Sequence, residues 1–303
     1  MTQQFNFKIW LRATRPFSFT ASIIPVLIAT AFAFLRQPNE ILWGLFPVVF
    51  FGAILFHIGA NLVSDYYDYK FGVDAEDTYG GSRVIIEKLL EPRQVLFGGL
   101  VSFAFGFLLG LILVYYRGYE VLLMGLGGLF CGLFYTLTRK GLKYIALGDL
   151  AVFVSFGPLL VIGSYFSLTG TYDWETFLIS LPIGFLVVAI LHANNTRDIS
   201  NDYRVKIRTL PMLIGLNNSK RAYFVLIFGA YLLTMLLIAL NIIDFTGLLV
   251  FLSMPVAIKN VKEFSKATSN DISSIIIMDV KTAQLHTQFG LLFIFGIILS
   301  KFL

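Results

Sequence analysis

The chain has 303 residues, of which 57% are hydrophobic and 14% are charged, and it carries a formal net charge of +5. Soluble domains are normally about 45–50% apolar and about 25% charged, so this composition excludes an ordinary soluble protein and predicts an integral membrane protein. The one cysteine, Cys131, excludes an internal disulfide and a metal site built from thiolates.

Nine apolar runs are long enough to cross a bilayer, which requires about 17–25 mostly apolar residues in a helix. The predicted spans cover residues 16–35, 41–62, 95–116, 119–137, 147–168, 175–195, 221–241, 244–260 and 286–303. The sequence therefore predicts an all-α integral membrane protein with about nine transmembrane helices. Residues 1–303 are predicted to form a single domain.

The basic residues predict the orientation of these spans. Of the 23 Lys and Arg residues, only Arg36, Arg117 and Lys301 fall on one side of the predicted membrane. By the positive-inside rule, the N-terminus and the long polar stretches are cytoplasmic and the C-terminus lies on the opposite side. The positive net charge is thus a topology signal, and we predict no nucleic-acid partner.

The first polar stretch of interest is residues 57–74, HIGANLVSDYYDYKFGVD, where an apolar run meets several carboxylates. If the helix continues, Asn61, Asp65 and Asp68 lie at i, i+4 and i+7 and share one face. Asp74 follows six residues later. We refer to residues 61–74 as the first aspartate motif.

A second stretch of the same kind lies far downstream, at residues 192–202, HANNTRDISND. Asn195, Asp198 and Asp202 occur at i, i+3 and i+7, which again predicts one helix face. Asn194 stands beside them and repeats the spacing Asn-x-x-x-Asp of the first motif. We refer to residues 194–202 as the second aspartate motif.

Carboxylates beside a membrane span are costly unless they are paired or bind an ion. Mg²⁺ prefers oxygen ligands and usually takes one or two carboxylates together with phosphate oxygens and waters. Two facing aspartate motifs therefore predict a site for Mg²⁺ and diphosphate, the alternative being two solvated loops. His57 and His192 precede the motifs and are interpreted as hydrogen-bonded helix residues rather than ligands.

Basic residues lie around both motifs and are candidates for pairing with phosphate oxygens. They are Arg12, Arg15, Arg83, Arg139, Lys140, Lys143, Arg197, Lys206 and Arg208. The alternative is that they only enforce topology. Four tyrosines also neighbour the charged stretches, and aromatic faces can stabilise a carbocation. They are Tyr66, Tyr67, Tyr69 and Tyr135.

Five stretches resemble the UbiA superfamily of intramembrane prenyltransferases, within it most closely the 1,4-dihydroxy-2-naphthoate branch. They are ATRPFSFTASIIPVLIATA, GANLVSDYYDYKFGVD, GGSRVI, YTLTRKGLKYIALGDLAVFVSFGPL and NNTRDISNDYRVKIRTLPMLIG. The resemblance implies a helical bundle around a central cavity, capped by polar loops on the cytoplasmic side. Leu62 follows Asn61 where the superfamily has an aspartate, so either Asp68 or Asp74 supplies the displaced carboxylate.

The resemblance also implies roles for individual residues. The implied ligands of Mg²⁺ and diphosphate are Asn61, Asp65, Asp68, Asp74, Asn195, Asp198 and Asp202. Further substrate-binding candidates are Arg15, Arg83, Arg139, Lys206 and Arg208, and the catalytic set adds Tyr135 and Lys143 to Asp68, Asp198 and Asp202. Arg83 either binds the diphosphate, binds the carboxylate of the acceptor, or only contributes to the membrane topology.

The expected activity is Mg²⁺-dependent transfer of a polyprenyl group from an allylic diphosphate to an aromatic acceptor, so the expected partners are the polyprenyl diphosphate, the acceptor and the membrane lipid around the protein. The first candidate acceptor is 1,4-dihydroxy-2-naphthoate, in menaquinone synthesis at a bacterial inner membrane. Alternative acceptors are 4-hydroxybenzoate and a lipid-phosphate backbone. Alternative functions are a secondary transporter and a non-catalytic scaffold. Transporter sites usually lie near the bilayer midplane, whereas these motifs stand at span ends, which favours an enzyme.

Overall fold

The computed structural model describes residues 6–303, which form helices and, apart from two isolated bridges, no β-structure. The helices of this range are α1 (Phe7–Ala13), α2 (Thr20–Arg36), α3 (Phe46–Phe71), α4 (Pro92–Arg117), α5 (Tyr119–Phe134), α6 (Gly148–Val154), α7 (Leu160–Thr169), α8 (Glu175–Arg197), α9 (Ile199–Arg204), α10 (Leu210–Ala239), α11 (Met254–Ser265) and α12 (Met278–Leu299). A 3₁₀ segment, Phe245–Ser253, leads into α11.

Eight helical segments of the described range are long and apolar enough to cross a membrane, and α5 is a shorter apolar helix. The prediction of about nine transmembrane helices is therefore confirmed. Three predicted bounds were wrong: α3 continues past residue 62 to Phe71, while α10 begins at Leu210 and α12 at Met278, before residues 221 and 286. Hydropathy falls where polar side chains begin, but helical backbone continues through those residues, interrupted in α10 at Gly215, which has the non-helical angles φ +75° and ψ +164°.

Local sequence explains several helix ends near the polar end of the bundle. Gly72 adopts φ +75°, the left-handed conformation that commonly follows a helix, and ends α3 there. Glu91 and Gln94 form a capping box around Pro92, which starts α4. The chain after α3 is thereby turned back over the end of its own helix.

The span that contains α6 and α7 is broken in the middle. Gly157 has non-helical angles (φ −89°, ψ −105°) and Pro158 follows it, so the regular hydrogen-bond ladder is interrupted. A Cβ on Gly157 would lie 3.2 Å from the Cα of Gly184 in α8. The missing side chain lets the broken span approach α8 closely.

α2 and α8 are the most buried spans, whereas α3 and α4 are among the least buried. α12 packs against both central spans, with Phe289 and Phe293 fully buried. On α4, Phe97 and Tyr115 are largely exposed, as expected of side chains that face lipid. The bundle therefore has a packed centre around α2, α8 and α12.

Three polar connections meet at one end of this bundle: residues 72–91, 135–147 and 198–209. The backbone N–H of Arg208 donates to Tyr144 O at 3.0 Å, and that of Ala146 donates to Arg208 O at 2.6 Å. Tyr144 also donates to Asp68, which lies near the end of α3, the helix that leads into the first connection. These connections form a polar cap over the ends of α3 and α8.

Candidate active site

A cavity of about 370 Å³ runs between α2, α3, α4, α5, α7 and α8. Its walls are mostly apolar, with Phe56, Phe103 and Phe156 among them. Near the polar cap the lining becomes polar and includes Asn61 and Lys143. The helices thus enclose an apolar chamber with one polar end.

A smaller polar cavity of about 30 Å³ adjoins that end, and both aspartate motifs contribute to it. It is lined by Arg15, Asp68, Val73, Asp74, Thr78, Gly80, Gly81, Lys143, Asn194, Asn195, Asp198, Asn201 and Asp202. Arg15, Lys143, Asn194 and Asn195 line both cavities. Residues more than a hundred positions apart in the sequence therefore meet where the apolar chamber ends.

Asp68 is the most heavily hydrogen-bonded carboxylate of the first motif, and it is buried. Lys143 donates to its Oδ2 at 2.8 Å, and the hydroxyl of Tyr144 donates to its Oδ1 at 2.7 Å. Ser64, one turn earlier in α3, donates to Oδ2 at 3.1 Å. Such charge-assisted hydrogen bonds are stronger than neutral ones, so the residues after α5 are fastened to α3.

Asp65 and Asn61 lie further along the same face of α3. Asp65 forms an ion pair with Arg15 and accepts a hydrogen bond from the backbone N–H of Ser82 at 3.1 Å. The amide nitrogen of Asn61 donates to Thr14 O at 3.0 Å and also to Ser18 Oγ. The chain before α2 and the glycine-containing loop are thus both anchored to the first motif.

The second motif does not form one continuous helix. α8 ends at Arg197, Asp198 adopts φ −91° and ψ +5°, and α9 begins at Ile199. The prediction of one uninterrupted helix face for Asn195, Asp198 and Asp202 was therefore wrong. Asn195, Asp198 and Asp202 nevertheless all line the polar cavity.

Arg197 and Thr209 hold the carboxylates of the second motif. Arg197 is buried and binds both oxygens of Asp198, with both N–O distances at 2.9 Å. Its remaining nitrogen donates to Asp279 of α12 at 3.2 Å. Thr209 donates to Asp202 Oδ2 at 3.0 Å. Each carboxylate of the motif therefore has its own partner.

Two carboxyls in the cap carry raised pKa values. Burial, together with the nearby charge of Asp68 and against the opposing charges of Lys143 and Arg15, raises the pKa of Asp74 to about 6. Burial also raises the pKa of Asp202 to about 7, against the opposing effect of Lys143 and with the added effect of Asp198. The cavity thus concentrates more negative charge than its own cations balance, which favours an added cation.

No group of three His, Cys, Asp or Glu residues within 6–303 is already arranged to hold a metal ion. The reason is that Asp65, Asp68 and Asp198 each face a cation of the chain. The donors are nevertheless of the type that Mg²⁺ prefers, and the loop beside them has glycines, without side chains, at residues 80 and 81. A Cβ on Gly81 would lie 2.6 Å from Asp74 Oδ2, and one on Gly80 would lie 3.4 Å from Asp198 Oδ2. The donor set therefore suits a divalent cation with an anion beside it.

Several predicted substrate-binding residues lie outside both cavities. Arg83 donates to Thr78 O and to Glu76 O, so its guanidinium braces the loop after the first motif. Arg139 lies over the ring of Phe71 at 5.7 Å. Neither Lys206 nor Arg208 lines a cavity, and both are exposed. Tyr135 does line the apolar cavity, and its buried hydroxyl has no partner within residues 6–303.

The structure adds partners that the motif analysis did not single out. They are Ser82, Tyr144, Asp149, Thr209 and Asp279. Asp149 and Asp279 carried a signal, since both are carboxylates at the start of long apolar helical segments, where a charge is costly unless it is paired or binds an ion. The others are hydroxyls whose role depends on distant contacts, and no local pattern distinguishes them.

Comparison with known proteins agrees with this geometry. The model of the UbiA prenyltransferase family matches residues 22–276. The chain is 33% identical over 294 residues to UbiA prenyltransferase domain-containing protein 1 of Xenopus tropicalis, covering 96% of this chain and 82% of that protein. It is 31% identical over 295 residues to 1,4-dihydroxy-2-naphthoate octaprenyltransferase of Bacillus subtilis (strain 168), covering 97% and 93%.

Solved structures share the fold at low sequence identity. A UbiA homolog from Archaeoglobus fulgidus bound to GPP and Mg²⁺ superposes with a TM-score of 0.63 at 14% identity, covering 96% of this chain and 99% of that chain. The apo structure of a UbiA homolog from Aeropyrum pernix K1 gives a TM-score of 0.69 at 13% identity, covering 93% and 98%. The resemblance inferred from the motifs is confirmed: the chain belongs to the UbiA prenyltransferase family and is a membrane enzyme that transfers prenyl groups.

Proposed function

We propose that this chain transfers a polyprenyl group from an allylic diphosphate to the ring of 1,4-dihydroxy-2-naphthoate in menaquinone biosynthesis, with Mg²⁺ as cofactor. The observation that carries the proposal is the meeting of both aspartate motifs at the polar end of an apolar cavity. The 31% identity to a relative named for the naphthoate reaction supports this acceptor. The bound Mg²⁺ and GPP of the A. fulgidus homolog support the donor and the cofactor.

The polar cavity is the proposed diphosphate site. The residues that would hold Mg²⁺ there are Asp68, Asp74, Asn195, Asp198 and Asp202. When bound, Mg²⁺ would neutralise charge on the departing diphosphate. Arg15 and Lys143, which reach this cavity, would turn from Asp65 and Asp68 to the phosphate oxygens. The same cations that neutralise the carboxylates in the free protein would then stabilise the leaving group.

The apolar cavity is the proposed place of bond formation. The allylic C–O bond breaks and its electron pair stays on the diphosphate oxygen, which leaves an allylic carbocation. The carboxylated ring carbon of the acceptor attacks it, and CO₂ then leaves while the electrons of its bond return to the ring. Tyr135 and Phe156 line this cavity, so aromatic faces border the cation and apolar walls exclude water.

The proposed function implies a membrane orientation. The polar cap would lie on the cytoplasmic side with the N-terminus, where water-soluble acceptors arrive, and the C-terminus would lie opposite. The prenyl chain would come from the lipid through the apolar cavity, at a bacterial inner membrane.

The proposal is tested with purified protein in nanodiscs, Mg²⁺, one long polyprenyl diphosphate and a panel of acceptors. The panel contains 1,4-dihydroxy-2-naphthoate, 4-hydroxybenzoate and a glycerol phosphate, and products are identified by mass spectrometry. We expect a decarboxylated prenyl naphthoquinol with the first acceptor alone. The Asp198→Asn variant and an EDTA-treated sample serve as controls and should give no product above about 1% of the wild type.

A prenylated product from another acceptor alone would overturn the naphthoate assignment while leaving the reaction class intact. Full turnover after exhaustive EDTA treatment would overturn the requirement for a divalent cation. A secondary transporter would give no new covalent product with any acceptor.

A further inference from the structure

Asp149, at the start of α6, is a buried carboxylate with no part in the steps above. Its two oxygens face two residues of α8. Oδ2 lies 3.0 Å from Nδ1 of His192, and Oδ1 lies 3.4 Å from the amide nitrogen of Asn195. Asp149 thus contacts the second aspartate motif through Asn195 and the residue before the motif's first turn, His192.

The contact fixes which way the Asn195 amide points. An ionised carboxylate only accepts hydrogen bonds, and if a proton sits on Oδ2 the other oxygen still accepts. The amide nitrogen of Asn195 must therefore face Asp149, and its carbonyl oxygen points elsewhere. No donor within residues 6–303 reaches that oxygen, and Asn195 lines both cavities. The carbonyl oxygen is the only atom of the amide that can bind a cation, and it remains available to the site.

His192 keeps Asp149 from rotating. The imidazole is fully buried, and its Nε2 lies 3.1 Å from the backbone carbonyl of Ser219 in α10. The ring is thus held at both nitrogens, between α6 and α10. A carboxylate fastened on one oxygen offers the other in a fixed direction, which is how a second layer of contacts orients metal ligands.

The first motif shows the same arrangement without a carboxylate. The amide nitrogen of Asn61 donates to the backbone carbonyl of Thr14, which is acceptor-only, and to Ser18 Oγ. Its carbonyl oxygen is likewise free of donors within the described residues, and Asn61 lines the apolar cavity. Asn61 and Asn195 are therefore both held by the amide nitrogen, with the carbonyl oxygen left available.

We propose that Asp149 is a positioning residue, which holds the amide of Asn195 so that its carbonyl oxygen faces the cation and diphosphate. The inference rests on the proposed function, because it takes Asn195 as part of that site. Losing an outer contact of this kind typically weakens metal affinity by about tenfold to a hundredfold.

The test measures Mn²⁺ affinity of the purified protein by the EPR signal of free Mn²⁺, without substrate or turnover. Asp149→Ala removes both contacts, so we expect Mn²⁺ binding to weaken about tenfold or more. Asp149→Asn is the conservative variant: its amide can donate to Nδ1 of a neutral His192 and still accept from Asn195. We expect its affinity to stay within about threefold of the wild type.

Two further comparisons separate positioning from general damage. Tyr231→Phe also removes a buried hydrogen bond, to Ser253 at 2.7 Å, but far from the motifs, and should bind Mn²⁺ as the wild type does. Asn195→Asp places two carboxylates face to face. Adding Asp149→Asn supplies a donor between them once its amide nitrogen turns to residue 195 and its oxygen accepts from a protonated Nδ1 of His192, so the double variant should bind Mn²⁺ about tenfold more tightly than Asn195→Asp alone.

If the wild type binds no Mn²⁺, the metal site of the proposed function fails. If the wild type binds and Asp149→Ala binds equally well, the positioning role alone is overturned. Equal losses in Asp149→Ala and Asp149→Asn would also overturn it, since charge rather than hydrogen-bond direction would then matter. Should Asp149→Ala not fold, equal affinities of Asn195→Asp and its double variant would overturn the positioning role in its place.

Discussion

The two aspartate motifs carry similar residues, but their side chains are held in different ways. In the first, Asp65 and Asp68 are paired with Arg15 and Lys143, which come from other parts of the chain. In the second, Asp198 is paired with the neighbouring Arg197, and Asp202 accepts from Thr209 seven residues on. Asn61, Asp65 and Asp68 of the first motif also lie on one unbroken helix, with Asp74 just beyond its end, whereas the second motif straddles a helix break.

This difference predicts different roles for the two motifs. Arg15 and Lys143 line the cavities, so their pairs with the first motif can be exchanged for phosphate oxygens. Arg197 is buried and also bound to Asp279 and Ile276 O, so it stays in place and orients Asp198. Under the proposed function, the first motif would therefore be the adaptable half of the site and the second motif the rigid half.

The largest expected effect is loss of turnover in Asp68→Asn and in Asp198→Asn, by about 10²–10³-fold each, since each removes a charge that faces the cation and diphosphate. The two should differ in stability. Asp68→Asn leaves buried Lys143 without its carboxylate, at a cost of about 1–3 kcal/mol, while Arg197 in Asp198→Asn keeps Asp279. Prenyl transfer rates and thermal unfolding measure both, and wild-type turnover in either variant would mean that its aspartate lies outside the site.

Gly81→Ala should lower kcat/KM about tenfold to a hundredfold, because its Cβ would lie 2.6 Å from Asp74 Oδ2. Gly72→Ala is the matched control. It shares the positive φ (+75° against +72°), but nothing lies within 4 Å of its Cβ. Both variants carry the same backbone strain, so only Gly81→Ala should lose activity beyond its loss of stability. Equal kinetics in the two would show that the loop does not close over the carboxylates.

The affinity for Mg²⁺ should increase about tenfold from pH 6 to pH 8, so Mg²⁺ should stabilise the folded protein more at the higher pH. Burial raises the pKa of Asp74 to about 6 and of Asp202 to about 7, so both hold protons that a cation must displace at low pH. Without the cation, the pH dependence of stability has the opposite sign. The folded state binds more protons than the unfolded state between about pH 4 and 7, so the stability of the protein falls as pH rises through that window. Thermal unfolding with and without Mg²⁺ checks both trends. Asp202→Asn should flatten them.

The smallest effect is expected at Arg83. Its guanidinium braces Thr78 O and Glu76 O and pairs with Glu87, and it lines neither cavity. Arg83→Ala should change kcat/KM by less than about threefold with carboxylated and decarboxylated acceptors alike. A selective loss with carboxylated acceptors would instead place Arg83 on the acceptor.

Much of this arrangement could be predicted from the sequence. Apolar runs located the spans, and the i, i+4, i+7 spacing placed Asn61, Asp65 and Asp68 on one face of α3. The helix break at Asp198 was not predictable from spacing, because a break does not change the identity of the residues around it. The pairing of Lys143 with Asp68 was equally hidden, since it depends on how the residues after α5 fold back over α3.

The most direct test of the central claim, that both motifs build one site, is a double-mutant cycle on the binding of Mg²⁺-pyrophosphate by isothermal titration calorimetry. Asp68→Asn and Asp198→Asn are measured singly and together. Groups that share one ligand are coupled, so the double variant should lose far less binding free energy than the sum of the single losses, by at least about 1 kcal/mol. Additive losses within about 0.5 kcal/mol would mean two independent sites and would contradict the claim.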